Sequence, residues 1–226
     1  MKKLFWIISV MFLLQACTTV QSVYFERLQP ADVNFPAQIR SVGVVNNMPP
    51  VHQDYKDVDY TSASLEGDGD IAAENLAQEL AAVDYFDQVV LYDKRVRKSA
   101  YPLEQPIPKE TVDELIRLLD VDMLLSMERV NVVLKDSTMF IPELYTFVPA
   151  AEGVVTSVVR EYLKQQEKPL FSIQKTDTRC WEIVQDLTFG DIVKDFSEYA
   201  ASIPMQYLLP YWKEEERRYF DGGNVN

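Results

Sequence analysis

The sequence predicts an α/β fold: a single domain on a mixed β-sheet, with a strand–helix–strand–helix–strand start, an antiparallel hairpin and C-terminal helices. Three observations carry this. β-Branched runs alternate with amphipathic segments from Ile39 to Leu134. Two stretches of alternating polarity follow, Gly153–Leu163 and Leu170–Val184, the pattern of a half-exposed antiparallel pair. A composition 47 % hydrophobic and 12 % aromatic over 226 residues is enough to bury a core.

The elements follow in order. Residues 18–38 read as a lead-in, with Pro30 and Pro36 limiting regular structure. Ile39–Asn46 (IRSVGVVN) is the first buried strand, ending before Pro49-Pro50. A polar loop runs from Met48 to about Asp70, which is the expected N-cap of a helix over Ile71–Val83. Phe86–Tyr92 is the second strand. Val112, Leu115, Ile116 and Leu119 then fall at i, i+3, i+4 and i+7, one buried helical face. Val121–Leu134 is the third strand, running on into a hairpin arm, and Ser137–Ala151, with Pro142 and Pro149, is a connection without an assigned form. A helix from Asp191 carries Ile192, Phe196, Tyr199 and Ile203 on one face, and Pro204 ends or kinks it. A short helix is expected over Trp212–Arg218 in the aromatic, charged tail.

The first residues have the three parts of an export signal. Met1-Lys2-Lys3 is the basic start, and Leu4–Leu14 is apolar, interrupted by Ser9. As a helix it spans roughly 16 Å, short of the ~20 residues a stable membrane span needs. Leu14-Gln15-Ala16-Cys17 matches the bacterial lipobox. Residues 1–16 are therefore expected to be a lipoprotein signal peptide, residues 17–38 the lipidated Cys17 with its tether, and residues 39–226 one envelope domain. A diacylglycerol thioether on Cys17, with a further acyl chain such as palmitate on its freed amine, anchors far more firmly than one chain. Net charge is −13, and cleavage removes two lysines and no acid, so the mature chain is more acidic still. That excludes nucleic acid as a natural partner and leaves the lipid, not charge, to hold the membrane.

Candidate chemistry is sparse. With Cys17 lipidated, Cys180 has no intramolecular partner, and the simplest reading is a small buried side chain. His52 is the single histidine, so a catalytic triad or Cys-His pair would have to use it; a solvated loop residue is the plainer reading. Asp54, Asp57, Asp59, Glu66, Asp68 and Asp70 crowd one loop with Gly67 and Gly69. Oxygen ligands in a glycine-bearing loop suit a hard cation, with Asp68 and Asp70 the first ligands to test, but the spacing fails the EF-hand template. Helix capping explains the same acids more simply. Asp113, Glu114 and the Glu214–Glu216 run read as solvated helix faces. Tyr211, Trp212 and Tyr219, with Tyr207 and Phe220, form either a partner- or sugar-binding platform or the inner side of a docked helix. No glycine-rich phosphate loop is present, and no cofactor is indicated.

A family resemblance rests on ordered blocks. They are Leu28-Gln29-Pro30-Ala31-Asp32-Val33, Phe35-Pro36, Ile39–Asn46, Ile71-Ala72-Ala73, Leu80-Ala81, Asp84-Tyr85-Phe86-Asp87, Leu91-Tyr92-Asp93 and Leu119–Glu128. Leu209-Pro210-Tyr211-Trp212-Lys213, Arg218-Tyr219-Phe220 and Gly223 close the series. Together they resemble an uncharacterised family of Bacteroidetes lipoproteins, a domain of unknown function. More distantly, the strand–helix–strand start is similar to the amino-terminal domain of TolB and to the curli-export lipoproteins. The resemblance implies an envelope lipoprotein and transfers no catalytic residues. In that family the chain continues into a helical, repeat-like segment, whereas this sequence stops at Asn226, as a short variant or a truncated frame would.

The function these readings favour is a non-enzymatic binding or assembly module, tethered through Cys17 to the outer membrane with its domain in the periplasm and with envelope proteins as partners. Thr18 stands where an inner-membrane retention signal would place Asp, and no acidic cluster follows to direct surface export. The alternatives are a metal-dependent hydrolase using the acidic loop 54–70 and a surface glycan-binding lipoprotein using the tail aromatics. The sequence is silent on oligomeric state.

Overall fold

In the computed structural model, residues 19–50, 63–99, 105–183 and 187–221 are described. The described elements are β1 (Thr19–Gln29), β2 (Ser41–Asn46), β3 (Ser64–Glu66), α1 (Gly69–Ala82), β4 (Gln88–Arg95), α2 (Lys109–Leu119), β5 (Met123–Ile141), β6 (Thr146–Leu163), β7 (Phe171–Glu182), α3 (Phe189–Leu208) and β8 (Tyr211–Asp221). The chain divides into two compact units, one over residues 31–209 and one in which residues 19–30 join residues 210–221.

The larger unit is the α/β fold with a mixed sheet that the sequence predicts. Its strand order is β4-β2-β5-β6-β7, with β3 added on β5. β2 pairs in parallel with both β4 and β5, while β5–β6 and β6–β7 are antiparallel. One face carries Val42, Val44, Met123 and Leu125 against Leu76 and Leu80 of α1 and Ile192 and Phe196 of α3. The opposite face packs Val45 and Leu124 against Val112, Leu115 and Ile116 of α2, the stripe read from the sequence. Leu76, Leu80, Leu125, Ile192 and Phe196 are all fully buried.

Several local expectations give way. The cap of α1 is Asp68, whose side chain accepts from the backbone N–H of Asp70 and Ile71, so Asp70 lies in the first turn. α3 opens on a capping box between Thr188 and Asp191 and runs on past Pro204 to Leu208; its packed face holds the helix through the missing backbone donor. The connection 137–151 is the end of a hairpin, two strand segments around a turn at 142–145, because β5 and β6 pair from Met123–Leu163 to Ile141–Thr146 with one register shift. β6 is not half-exposed: flanked by two strands, it buries most of Ala150–Tyr162. Ser64–Glu66, inside the expected loop, is a strand on Asn131–Val133.

The smaller unit replaces both the unstructured lead-in and the expected tail helix. β1 and β8 pair antiparallel over their full length, Thr19 opposite Asp221 and Gln29 opposite Tyr211. Trp212–Arg218 has good helix formers, yet cross-strand partners override that propensity. Arg27 pairs with Glu215 at 3.0 Å, and Arg217 stacks on the Phe25 ring at 5.0 Å.

Packing density sets a test. A Cβ on Gly153 would stand 2.4 Å from Val132 and 2.6 Å from Trp181, whereas one on Gly190 meets nothing closer than Thr188 at 3.5 Å. Gly153→Ala is expected to lower unfolding stability by about 1–3 kcal/mol, and Gly190→Ala to leave it unchanged or raise it by up to about 1 kcal/mol, both measured by urea titration.

Candidate functional site

The parallel strands end at Asn46-Asn47, between helices on opposite faces of the sheet. In open α/β sheets this crevice, outside the carboxyl ends of strands that lead to opposite faces, is where ligands bind. Successive residues of a strand point to opposite sides, and the two asparagines diverge accordingly. Asn46 Nδ2 donates to Asp70 Oδ1 at 2.6 Å, while its Oδ1 accepts from the Met48 N–H at 2.9 Å. A Cβ on Gly69 would lie 2.5 Å from Asn46 Oδ1, so only glycine lets the first turn of α1 come this close. Asn47 Nδ2 donates to Glu128 Oε2 at 2.8 Å and to the Gln105 carbonyl at 2.9 Å.

Glu128 owes its place to a β-bulge. The β5–β6 register shifts between Met127, opposite Val159, and Arg129, opposite Val158, leaving Glu128 as the extra residue. Its side chain is 1 % exposed. Besides Asn47, it accepts from the Tyr162 hydroxyl at 3.0 Å and from Arg160 Nη1 at 3.5 Å. Burial pushes the Glu128 carboxyl above the usual carboxylate range, while Asn47, Ser126, Arg160 and Tyr162 oppose that rise. Burial first, then the adjoining carboxylate, push the Tyr162 phenol up, keeping it a neutral donor. These groups hold one another, with Glu128 and Tyr162 buried and Asn47 at the edge of the cleft.

Beside Asn47, a cleft of about 320 Å³ opens along the amino end of α2, lined by Arg97, Lys98, Gln105, Pro108 and Thr111 among others. Arg97 is 7 % exposed. Pro108, the N-cap of α2, makes no side-chain cap, and Glu110 lies in the first turn. The cleft presents donors and positive charge, a surface for holding a polar or anionic group. On the α1 side, Asp70, Glu74 and Asp93 line a smaller, acidic hollow.

Few of the sequence-derived candidates converge. Cys17, His52, Asp54, Asp57 and Asp59 lie outside the described residues. Asp68 is spent on capping α1, and Asp70 is held by Asn46 and, at 3.4 Å, by Arg95. Among the described residues no group of three or more His, Cys, Asp or Glu side chains is placed to hold a metal ion. Cys180 is exposed, correcting the buried reading. On β7 it is Ile173 and Trp181 that face the core, so Cys180 falls on the other side, where α2 does not reach. Trp212 is 66 % exposed on β8, Tyr211 is half-buried, and the Tyr219 backbone pairs with Gln21. Tyr207 belongs to α3, where Lys175 Nζ sits 3.8 Å from its ring centre. Asp113 accepts from the Gln165 N–H at 2.7 Å. Asn47, Glu128 and Tyr162, which form the actual cluster, were signalled by two features: paired asparagines ending a strand, and a break in alternation at Glu128.

A second buried carboxylate lies on the opposite face of the sheet. Glu161 is fully buried between Leu125 and Phe171, and neither of its carboxylate oxygens has a partner among the described residues. Burial raises its pKa from 4.5 to about 7. Below pH 4.5 the group is neutral in folded and unfolded chains alike. Between 4.5 and 7 the unfolded chain ionises first, so stability falls as pH rises, and above 7 the loss levels off at about 3 kcal/mol. Glu161→Gln is expected to match the parent at pH 4 and exceed it by up to that amount at pH 8, measured by denaturant titration. Equal stability at both pH values would show that the carboxylate is solvated.

A family model described as a domain of unknown function, DUF8603, matches residues 39–220. No curated protein matches. Among solved structures, the chain is similar to a PelC dodecamer from Paraburkholderia phytofirmans, with 15% identity, 82% of this chain and 99% of that chain covered, and a TM-score of 0.35. It is also similar to a minor lipoprotein from Acinetobacter baumannii, with 8% identity, coverage of 74% and 88%, and a TM-score of 0.32.

Proposed function

This chain belongs to the DUF8603 family, and from that premise we propose that it is a membrane-anchored lipoprotein of the cell envelope whose α/β unit binds or assembles other envelope components without catalysing a reaction. The observation that carries the non-catalytic reading is the closed Glu128–Tyr162–Asn47 cluster. Its carboxylate lies where α/β proteins place ligands, yet it is 1 % exposed and bonded to three side chains. A carboxylate so engaged and so shut off from solvent supports the wall of a binding cleft, out of hydrogen-bond reach of a substrate proton in the cleft.

The anchoring rests on Leu14-Gln15-Ala16-Cys17 behind the basic and apolar leader. Thr19, the first residue of β1, stands two positions after Cys17. Lipidation there would hold folded structure at the bilayer with almost no free tether. Thr18 in place of Asp supports the outer membrane, and the lack of an acidic run after Cys17 supports the periplasmic leaflet. The finer resemblance to Bacteroidetes lipoproteins agrees with this placement.

Two measurements on cells test the proposal. Metabolic labelling with an alkyne fatty acid is expected to mark the parent chain, and Cys17→Ala to abolish the label and accumulate unprocessed precursor. Crosslinking of the tagged full-length chain in intact cells is expected to recover a discrete set of envelope proteins from the membrane fraction. An unlabelled parent would overturn the anchor, and a monomer without crosslinked partners would overturn the binding role.

A further inference from the structure

β5 and β6 run further than the sheet that holds them. β3 reaches β5 only at Asn131–Val133, and β7 pairs with β6 only from Ala150 onward. Among the described residues, no lateral strand flanks the pairs from Thr138–Pro149 to Ile141–Thr146, beyond one hydrogen bond from the Ile183 N–H to the Pro149 carbonyl. At about 3.4 Å per residue this arm projects on the order of 14 Å, with the turn beyond it.

Its end is apolar and open. Phe140 is 41 % exposed, Leu144 69 %, Tyr145 89 % and Phe147 67 %. The rings cluster, with Phe140 5.7 Å from Tyr145 and 5.1 Å from Phe147. Tyr145 adopts φ 52°, a left-handed conformation in which glycine or asparagine is the usual occupant; the turn holds an aromatic outward there instead. Charge is nearly absent: between Thr138 and Pro149 the one acidic or basic residue is Glu143, in a chain that is 25 % charged.

We propose that this tip, through Phe140, Leu144, Tyr145 and Phe147, inserts into the interfacial layer of the membrane to which Cys17 is tethered. The inference rests on the anchored reading above. Two observations select a lipid surface as the occupant. Cys17 lies two residues before β1, so lipidation there would confine the chain to the bilayer and raise the local concentration of its exposed apolar surface at lipid. The net charge of −13 makes most of the surface repelled by an anionic leaflet, whereas the charge-poor tip meets little repulsion. The insertion is shallow: the open backbone of the turn cannot enter hydrocarbon, and tyrosine is favoured at the headgroup boundary.

The test uses the full lipidated chain, purified from membranes and reconstituted into phosphatidylethanolamine–phosphatidylglycerol vesicles with brominated acyl chains. Leu144→Trp places a reporter on the tip, and Leu118→Trp places one on α2 at a site 63 % exposed. The Leu144→Trp emission is expected to shift to the blue and to be quenched severalfold more than that of Leu118→Trp or the parent. Adding Tyr145→Ser and Phe147→Ser should restore a solvent-exposed spectrum. Equal quenching at the two positions, with the chain still in the vesicle band, overturns the tip assignment and leaves the anchor standing. A blue-shifted but unquenched Leu144→Trp means that a protein neighbour covers the tip and overturns the membrane assignment. A chain absent from the vesicle band overturns the anchor, and the tip with it.

Discussion

Glu128 is one residue too many in β5, and the arrangement of the larger unit depends on how that residue is accommodated. Up to Met127, odd-numbered positions of β5 face α1 and α3; beyond the bulge Val130, Val132 and Leu134 do. Without the extra residue a strand of this length would turn Val130, Val132 and Leu134 to the other face and leave the core beneath α3 without its floor. The same bulge swings a carboxylate into the sheet interior, where Asn47, Tyr162 and Arg160 neutralise it. The end of β2 and strand β6 thereby meet at one side chain, and Asn47 reaches on from it to the Gln105 carbonyl.

The surroundings of that point divide the molecule's chemistry. Asn46 ties the crevice to the amino end of α1, and Asn47 ties it to the wall of the basic cleft. The carboxylate that would be costly to bury alone is given donors at Glu128; at Glu161 burial raises the pKa to about 7, and the cost is avoided only below that pH, where the group is neutral. Exposed aromatic and apolar side chains gather instead at the end of the β5–β6 arm.

Legibility in the sequence followed the range of the interactions. β2 and α2 were readable because each is specified by its own side chains, β-branched runs in one and i, i+3, i+4 spacing in the other. β1 and β8 were not, because their partners lie at opposite ends of the chain and the helix-forming residues of Trp212–Arg218 point the other way. Glu161 sits in a stretch whose alternation suggests exposure, yet both faces of β6 are covered there. The bulge was within reach: every odd position from Val121 to Met127 is apolar, and from Val130 to Leu134 every even one is, the change of phase that an inserted residue produces. Asp68 and Asp70 drew attention as cation ligands for a reason that also suits a helix start: Asp68 caps α1, and Asp70 lies in its first turn.

The account stands most directly on the coupling between Glu128 and Tyr162. A double-mutant cycle with Glu128→Ala and Tyr162→Phe, read by denaturant unfolding, isolates their interaction from the cost of each change. A coupling of about 1–3 kcal/mol is the expected result, because a buried carboxylate and its phenol donor act as one network. A coupling near zero, with Glu128→Ala tolerated, would contradict it, leaving Glu128 free for a role in chemistry rather than in holding the crevice together.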